Sequence, residues 1–343
     1  MTQAPPPIPD THRELRLAAR PKGLPGPEHF ELAETAVPRP GPGEVLVRNR
    51  LMSLVTVMHS LMDEHANLPM PAFSLGEPPW GPVVGEVVRA PADGPFAVGD
   101  LVAHRASWRE YAVVAADAAR RVDPEVLPDP AWYLSSAVTA WLGVVKGAEV
   151  REGDTVFVSG AAGAVGSLAG QLARLRGAAR VIGSTGSRRK GEYLRRELGY
   201  DAVVHRGEGE PPIEEQLRAA APEGLDAVFD NVGGEQLRAA LAVARPLARV
   251  ALIGALAGQV PGGAGAKVEI EPFSLIGRSI TLRALGGVHW LSFAPEAERE
   301  VGRAARAGKL RLPQARLRGI AQAPAALREL LEGRHIGQVL VEL

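Results

Sequence analysis

An uncharged β run, Thr155-Val156-Phe157-Val158-Ser159, passes directly into Gly160-Ala161-Ala162-Gly163-Ala164-Val165-Gly166-Ser167, and few folds can use that junction. Beyond it Val165, Leu168, Ala169, Leu172 and Ala173 recur at helical spacing, so a buried strand, a glycine turn and an amphipathic helix follow one another. Glycine lets the backbone turn sharply and lets a pyrophosphate approach closely. The helix start offers free N–H groups and a positive dipole end, and a third glycine lets helix pack on strand. The spacing is Gly-x-x-Gly-x-x-Gly rather than Gly-x-Gly-x-x-Gly, and many glycine turns are only structural. The strand before it and the helix after it point to dinucleotide binding, with Ala162, Gly163, Ala164, Val165 and Gly166 as contacts. The same stretch, Thr155 to Ala173, lacks charge over a length that could span a bilayer. Strand, turn and helix account for its glycines, serines and glutamine, so no membrane segment is expected.

The next strand, Arg180–Gly183, leads into Ser184-Thr185-Gly186-Ser187-Arg188-Arg189-Lys190. An NAD site places an acid here for the adenosine ribose. This segment has hydroxyls and three cations instead, which suit a 2′-phosphate. A solvated basic helix start would look the same, but cations are unfavourable at a helix N-terminus unless an anion joins them. The expectation is NADPH, held by Gly186, Ser187, Arg189 and Lys190. Arg206, just past the following strand, is a further phosphate contact or an ordinary surface arginine.

The rest of the chain fits around this unit. Its 343 residues favour two domains. From Phe30 to about Pro130 short β runs at 43–48, 83–88, 98–102 and 108–114 alternate with Gly and Pro, as in a compact all-β unit. After Ser135 strands and helices alternate. Strands read at 155–159, 180–183, 202–205, 227–230, 249–253 and 279–282. Helices fall between them, one over 189–198 closing on Gly199 and one over 235–244 ended by Pro246. This is a doubly wound parallel sheet. The expected division is a discontinuous β domain at 1–134 and 300–343, with residues 1–10 disordered, and a nucleotide domain at 135–299. The final strand, 337–342, returns to the first domain. Lys+Arg and Asp+Glu are both 39, so nothing favours nucleic acid or an anionic membrane as partner. No cysteine is present, which removes disulfides, thiolate catalysis and a cysteine zinc site. The Pro-rich start is no secretory signal, and a cytoplasmic location is expected.

Taken together, Thr139-Ala140-Trp141, Gly153-Asp154-Thr155-Val156, the Ala161–Ser167 turn, Lys190 and Phe229-Asp230-Asn231-Val232-Gly233-Gly234 resemble the zinc-free medium-chain dehydrogenases/reductases. Within that superfamily the likeness is to the prostaglandin reductase, leukotriene B4 dehydrogenase and alkenal/one reductase branch. It covers nearly the whole chain from Phe30. It implies a GroES-like β-barrel domain and a Rossmann domain, with nicotinamide in the cleft between them. It implies a homodimer and hydride transfer from NADPH to the β-carbon of an electron-poor C=C bond. By the resemblance, Lys190 meets the 2′-phosphate, Asn231 the nicotinamide ribose, and Gly254-Ala255-Leu256 the nicotinamide, while Thr139 and His335 also fall at cofactor positions. Zinc-dependent relatives carry Gly-His-Glu where this chain has Gly76-Glu77-Pro78, so no metal is expected.

Several family positions differ. Where the family has Asp-Pro-Tyr-Met-Arg, this chain has Val55-Thr56-Val57-Met58-His59, and the tyrosine of Thr-Ala-Tyr is Trp141. The tyrosine expected after the fifth nucleotide-domain strand is missing from Ala255-Leu256-Ala257-Gly258-Gln259, and the near-C-terminal asparagine is His335. An enone reductase needs a donor for the developing oxyanion or a proton source. Three readings stay open. His59, Gln259, Tyr133, Ser53 or the cofactor's 2′-hydroxyl donates; or the substrate spreads its own charge, so that hydride triggers a Michael-type ring closure, as in bacterial polyketide and tetramate pathways; or the protein only binds NADPH. Ser53, Leu54, Val57, Met58, Trp80, Trp141, Val288, His289 and Trp290 are candidate pocket residues for a bulky hydrophobic substrate, although such a stripe is usually core. His59, Asp63, Glu64 and His65 have a metal-like composition but read as a solvated helix face. The Arg-, Ala-, Gly- and Pro-rich composition resembles that of GC-rich bacteria and hints at secondary metabolism.

Overall fold

The computed structural model describes residues 7–66, 68–259 and 267–343, without the side chains of 259, 287 and 288. The chain divides into two compact units, Met1–Ser135 with Gln314–Leu343, and Ser136–Pro313.

In the first unit, β1 (Thr11–Leu17) pairs antiparallel with β2 (Phe30–Ala36) through Leu15 opposite Leu32 and Leu17 opposite Phe30. A larger sheet is built on β3 (Glu44–Leu54), β4 (Val83–Arg89), β5 (Leu101–His104), β6 (Tyr111–Ala115) and β7 (Arg120–Arg121). β3 changes function along its length. Its first half sends Val45 and Val47 into a core with Val87, Val102 and Val114. The pairing with β4 shifts register between Asn49 and Leu51, and past that irregularity Met52 and Leu54 enter a second core with Leu17, Phe30 and Trp108. A one-residue bulge re-aims the side chains that follow it. Each such side chain, once buried, contributes roughly 1.5–3 kcal/mol.

The second unit holds β8 (Thr155–Val158), β9 (Arg180–Thr185), β10 (Ala202–His205), β11 (Leu225–Asp230), β12 (Ala244–Leu252) and β13 (Thr281–Ala284). They form one parallel sheet ordered β10-β9-β8-β11-β12-β13. Helices cover such a sheet on both faces, which is why β8 and β11 are nearly continuous apolar runs. Helix Gly166–Leu175 lies close to its neighbours. A Cβ on Gly170 would stand 2.2 Å from the Tyr200 ring, whose hydroxyl donates to the Gly166 carbonyl at 2.7 Å.

The chain then re-enters the first unit through β14 (Gln314–Arg318), and β15 (Gln338–Glu342) pairs parallel with β14 and antiparallel with β3. Residue 300, the expected point of return, lies inside helix Ala294–Arg306, where Glu300 accepts from Trp141 Nε1 at 2.9 Å; the chain leaves the second unit only after Pro313. The first unit's larger sheet runs β14-β15-β3-β4-β5-β7 with β6 on β3, and among the described residues no pairing closes it into a barrel. Pro246 does not end a helix. Helix Gly234–Val243 stops before it, and Pro246 sits in β12 where the register to β11 jumps from Ala244 to Arg249, so no ladder bond needs its missing N–H. Helix Ile213–Ala220 and strand β1 had no counterpart in the sequence reading.

Candidate cofactor-binding site

The strand order of the parallel sheet places its topological switch point between β8 and β11, where chains leave in opposite directions and open a crevice at the strands' C-terminal ends. Ser159 and the glycine turn leave β8 there, and Asp230 ends β11 with Asn231 just past it. Hydrogen bonds tie the two exits. Ser159 Oγ donates to Asp230 Oδ1 (2.6 Å) and accepts from Asn231 N (2.8 Å), and Asn231 Nδ2 donates to the Ser159 carbonyl (2.9 Å). The Asn231 carbonyl in turn accepts from Leu256 N at 3.1 Å, bringing the 254–256 segment to the same end of the sheet.

The turn needs its glycines unequally. Gly160 has φ +60, in the left-handed region. A Cβ on Gly166 would stand 2.5 Å from the Gly160 carbonyl oxygen and 2.7 Å from Ala161 Cα, so the helix can begin there only without a side chain. Gly163 is exposed, and a Cβ there would meet nothing nearer than 3.5 Å. Beneath the turn, Ser184 Oγ accepts from Gly160 N at 2.9 Å and donates to Gln236 Oε1, and the Ser184 carbonyl accepts from Ala161 N at 2.9 Å. Ser159, Asp230, Ser184, Gln236 and Tyr200 therefore shape the candidate site; the sequence reading has Ser184 in the hydroxyl-rich segment and Asp230 in the Phe229–Gly234 motif but gives none of the five this role. A polar residue closing an apolar strand run was the available signal for Ser159 and Asp230.

At the end of β9 the three cations separate. Arg188 is exposed and pairs with Glu210 at 2.9 Å, and Arg189 is exposed on the first turn of helix Arg188–Glu197. Lys190 is buried, and desolvation, then the charges of Arg189 and Arg206, lower its pKa to about 8. Gly186 is exposed beside the Arg206 side chain, with Arg206 Nε 3.6 Å from where a Cβ would be. An ammonium held with two guanidiniums in this way suits a dianionic group.

The remaining candidates are more scattered. Thr139 is exposed on helix Ala137–Trp141, while Trp141 in the same helix is fully buried. His289 is exposed, and Trp290 stacks on Phe293. The side chains of Gln259 and Val288 lie outside the described residues. In the first unit, Met58 and Leu54 are core. Trp80 packs edge-on to Phe73 with the Arg105 guanidinium over its ring, and Val57 is half-buried. His59 Nε2 hydrogen-bonds the Gly23 carbonyl at 3.1 Å. The Tyr133 hydroxyl donates to the Asp123 carbonyl (3.0 Å) and accepts from Asp123 N (2.9 Å). Ser53 Oγ is buried with no partner among the described residues, and His335 lies 3.0 Å from Glu329. The described residues contain no group of three or more His, Asp or Glu placed to hold a metal ion, and no helix among them is long and apolar enough to cross a membrane.

Two family models match the chain: the N-terminal domain of oxidoreductase over residues 13–122 and zinc-binding dehydrogenase over residues 164–301. The chain is 30% identical to prostaglandin reductase 1 of Mus musculus over 337 residues, covering 94% of this chain and 96% of that protein. It is 28% identical over 341 residues to the NADPH-dependent curcumin reductase of Escherichia coli, covering 97% of each. Among solved structures, CurA from Vibrio vulnificus in complex with NADPH matches with a TM-score of 0.85 at 27% identity, over 96% of this chain and 98% of that one.

Proposed function

Because the chain belongs to the medium-chain dehydrogenase/reductase superfamily, in the zinc-free branch that includes the prostaglandin and curcumin reductases, we propose that it is an NADPH-dependent reductase of conjugated C=C bonds in hydrophobic α,β-unsaturated carbonyl compounds. The observation that carries the cofactor is buried Lys190, in the first turn of the helix that follows β9, together with a turn whose Gly166 has no room for a side chain. In this reading Lys190, Arg189 and Arg206 hold the 2′-phosphate. The turn from Ala162 to Gly166 receives the pyrophosphate, and Asn231 with Gly254–Leu256 orients the nicotinamide half. Bound NADPH supplies a hydride for the β-carbon, and a proton reaches the α-carbon. Zinc has no part in the proposal, since the chain lacks cysteine and carries Gly76-Glu77-Pro78 in the ligand region.

The Tyr133 hydroxyl and His59 Nε2 are engaged inside the first unit, which argues against either group as the proton donor. Ser53 Oγ is buried without a partner among the described residues, so its proton, unlike that of the Tyr133 hydroxyl, is not already committed. Weak donor provision favours substrates whose own conjugation spreads the developing charge. The proposal includes a homodimer acting in the cytoplasm. The test is NADPH titration, then cofactor oxidation against a panel of enones and conjugated polyenes with mass spectrometry of the products. A gain of two hydrogens is expected. A new ring in the product would instead indicate reductive cyclisation, and tight binding without oxidation of any acceptor would leave a non-catalytic NADPH-binding protein.

A further inference from the structure

Asp230 has a feature that cofactor binding alone does not explain. Its carboxylate is 1% exposed, and no cation pairs with it among the described residues. Burial raises its pKa, opposed by the hydrogen bonds it accepts. A buried charge of this kind is costly unless donors surround it. Here three do: Ser159 Oγ at 2.6 Å, Gly233 N at 2.8 Å and Val232 N at 3.3 Å. All three partners are donors, so the position calls for a group that only accepts, which an ionised carboxylate is and an amide is not.

The consequence passes through Ser159. With its proton committed to Asp230, the Ser159 oxygen presents a lone pair to Asn231 N. The Ser159 carbonyl takes the Asn231 amide nitrogen at 2.9 Å, which fixes which way the amide faces. Asn231 Oδ1 is then turned away from Ser159, and among the described residues no donor reaches it. The Asn231 carbonyl holds Leu256 N. One buried carboxylate thus locks the exits of β8 and β11 together and, through Asn231, fastens the segment leaving β12, all at the switch point of the sheet.

We propose that Asp230, acting through Ser159, is a positioning residue that sets the Asn231 amide so that its Oδ1 accepts a hydrogen bond from a ribose hydroxyl on the nicotinamide half of the cofactor. The inference rests on the NADPH reading above. It separates two parts of one ligand: Lys190 holds the adenosine end, and the Asp230–Ser159–Asn231 relay holds the other.

Binding of NADPH and of adenosine 2′,5′-bisphosphate, which lacks the nicotinamide half, would be measured by calorimetry on the full-length chain and on Ser159→Ala, Ser159→Thr and Asp230→Asn. Ser159→Ala is expected to weaken NADPH about tenfold, the loss typical of one hydrogen bond to a charged group, while the bisphosphate changes less than about twofold. Ser159→Thr keeps the hydroxyl and should restore NADPH binding. Asp230→Asn should act like Ser159→Ala, and if it does not fold the serine pair still decides. Unchanged NADPH binding in Ser159→Ala, or equal weakening of both ligands, would overturn the relay while leaving the cofactor reading intact. Failure of the wild-type chain to bind either ligand would overturn both.

Discussion

The Lys190 ammonium is held out of water with Arg189 and Arg206 adding repulsion, so its pKa falls to about 8. An arriving phosphate reverses both effects. In the unliganded protein Lys190 is mostly protonated below pH about 8, and above that NADPH binding must draw in a proton, so NADPH affinity should fall as pH rises through about 8 while NADH affinity stays level. The fold has the opposite dependence. Between about 8 and the ordinary 10.5 the unfolded chain holds more protons at this site, so the unliganded protein gains stability from Lys190 as pH rises. Lys190→Glu should weaken NADPH on the order of 100-fold more than NADH, measured as paired dissociation constants, since a charge-assisted contact becomes repulsion. An equal loss for both would put the 2′-phosphate elsewhere. Lys190 was legible in the sequence as a candidate because cations stand where an NAD site has an acid. Ser159 and Asp230 were not, because their bond joins residues 71 apart that meet only once β8 and β11 are neighbours.

At the scale of elements, the glycine turn separates into a position that shapes the fold, Gly166, and an exposed one that the proposal gives to the ligand, Gly163. Gly166→Ala would push a methyl against the Gly160 carbonyl and Ala161 Cα, backbone atoms that cannot rotate away. It should cost about 1–3 kcal/mol in urea unfolding, the range for forced overpacking. Gly163→Ala meets only ordinary contact, so stability should change by less than about 0.5 kcal/mol, as at other surface positions. NADPH affinity should fall, because the added methyl stands at the exposed face of the turn. If the two variants lose equal stability, the division fails. The periodic elements here were legible: the helix closing on Gly199 has that residue at φ +71, and β10 spans the residues expected of it. Short or irregular ones were not. Helix Ile213–Ala220 places only Ile213 and Leu217 in the core, too few to stand out as a period, and the Pro246 bulge imitated a helix stop.

For the whole molecule, the proposed homodimer has a physical argument in the second unit alone. β13 is the end strand of the parallel sheet, and its outer edge has no partner among the described residues. Such an edge is a template for another strand unless it is short, charged or covered. Beside it in the chain, helix Pro272–Arg278 packs on β12 but leaves Phe273 75% and Ile276 69% exposed, side chains that a monomer would more economically bury. A second copy meeting the first across a two-fold axis would pair the two β13 strands antiparallel and bring both apolar helix faces into the contact. Light scattering of the wild-type chain should therefore give twice the chain mass. Phe273→Asp with Ile276→Asp should return it to the monomer by placing carboxylates in an apolar contact. NADPH affinity should persist in that monomer, because β13 stands two strands away from β11 and the switch point. A wild-type monomer would remove the dimer from the proposal, and a double variant that stays dimeric would move the interface to another face.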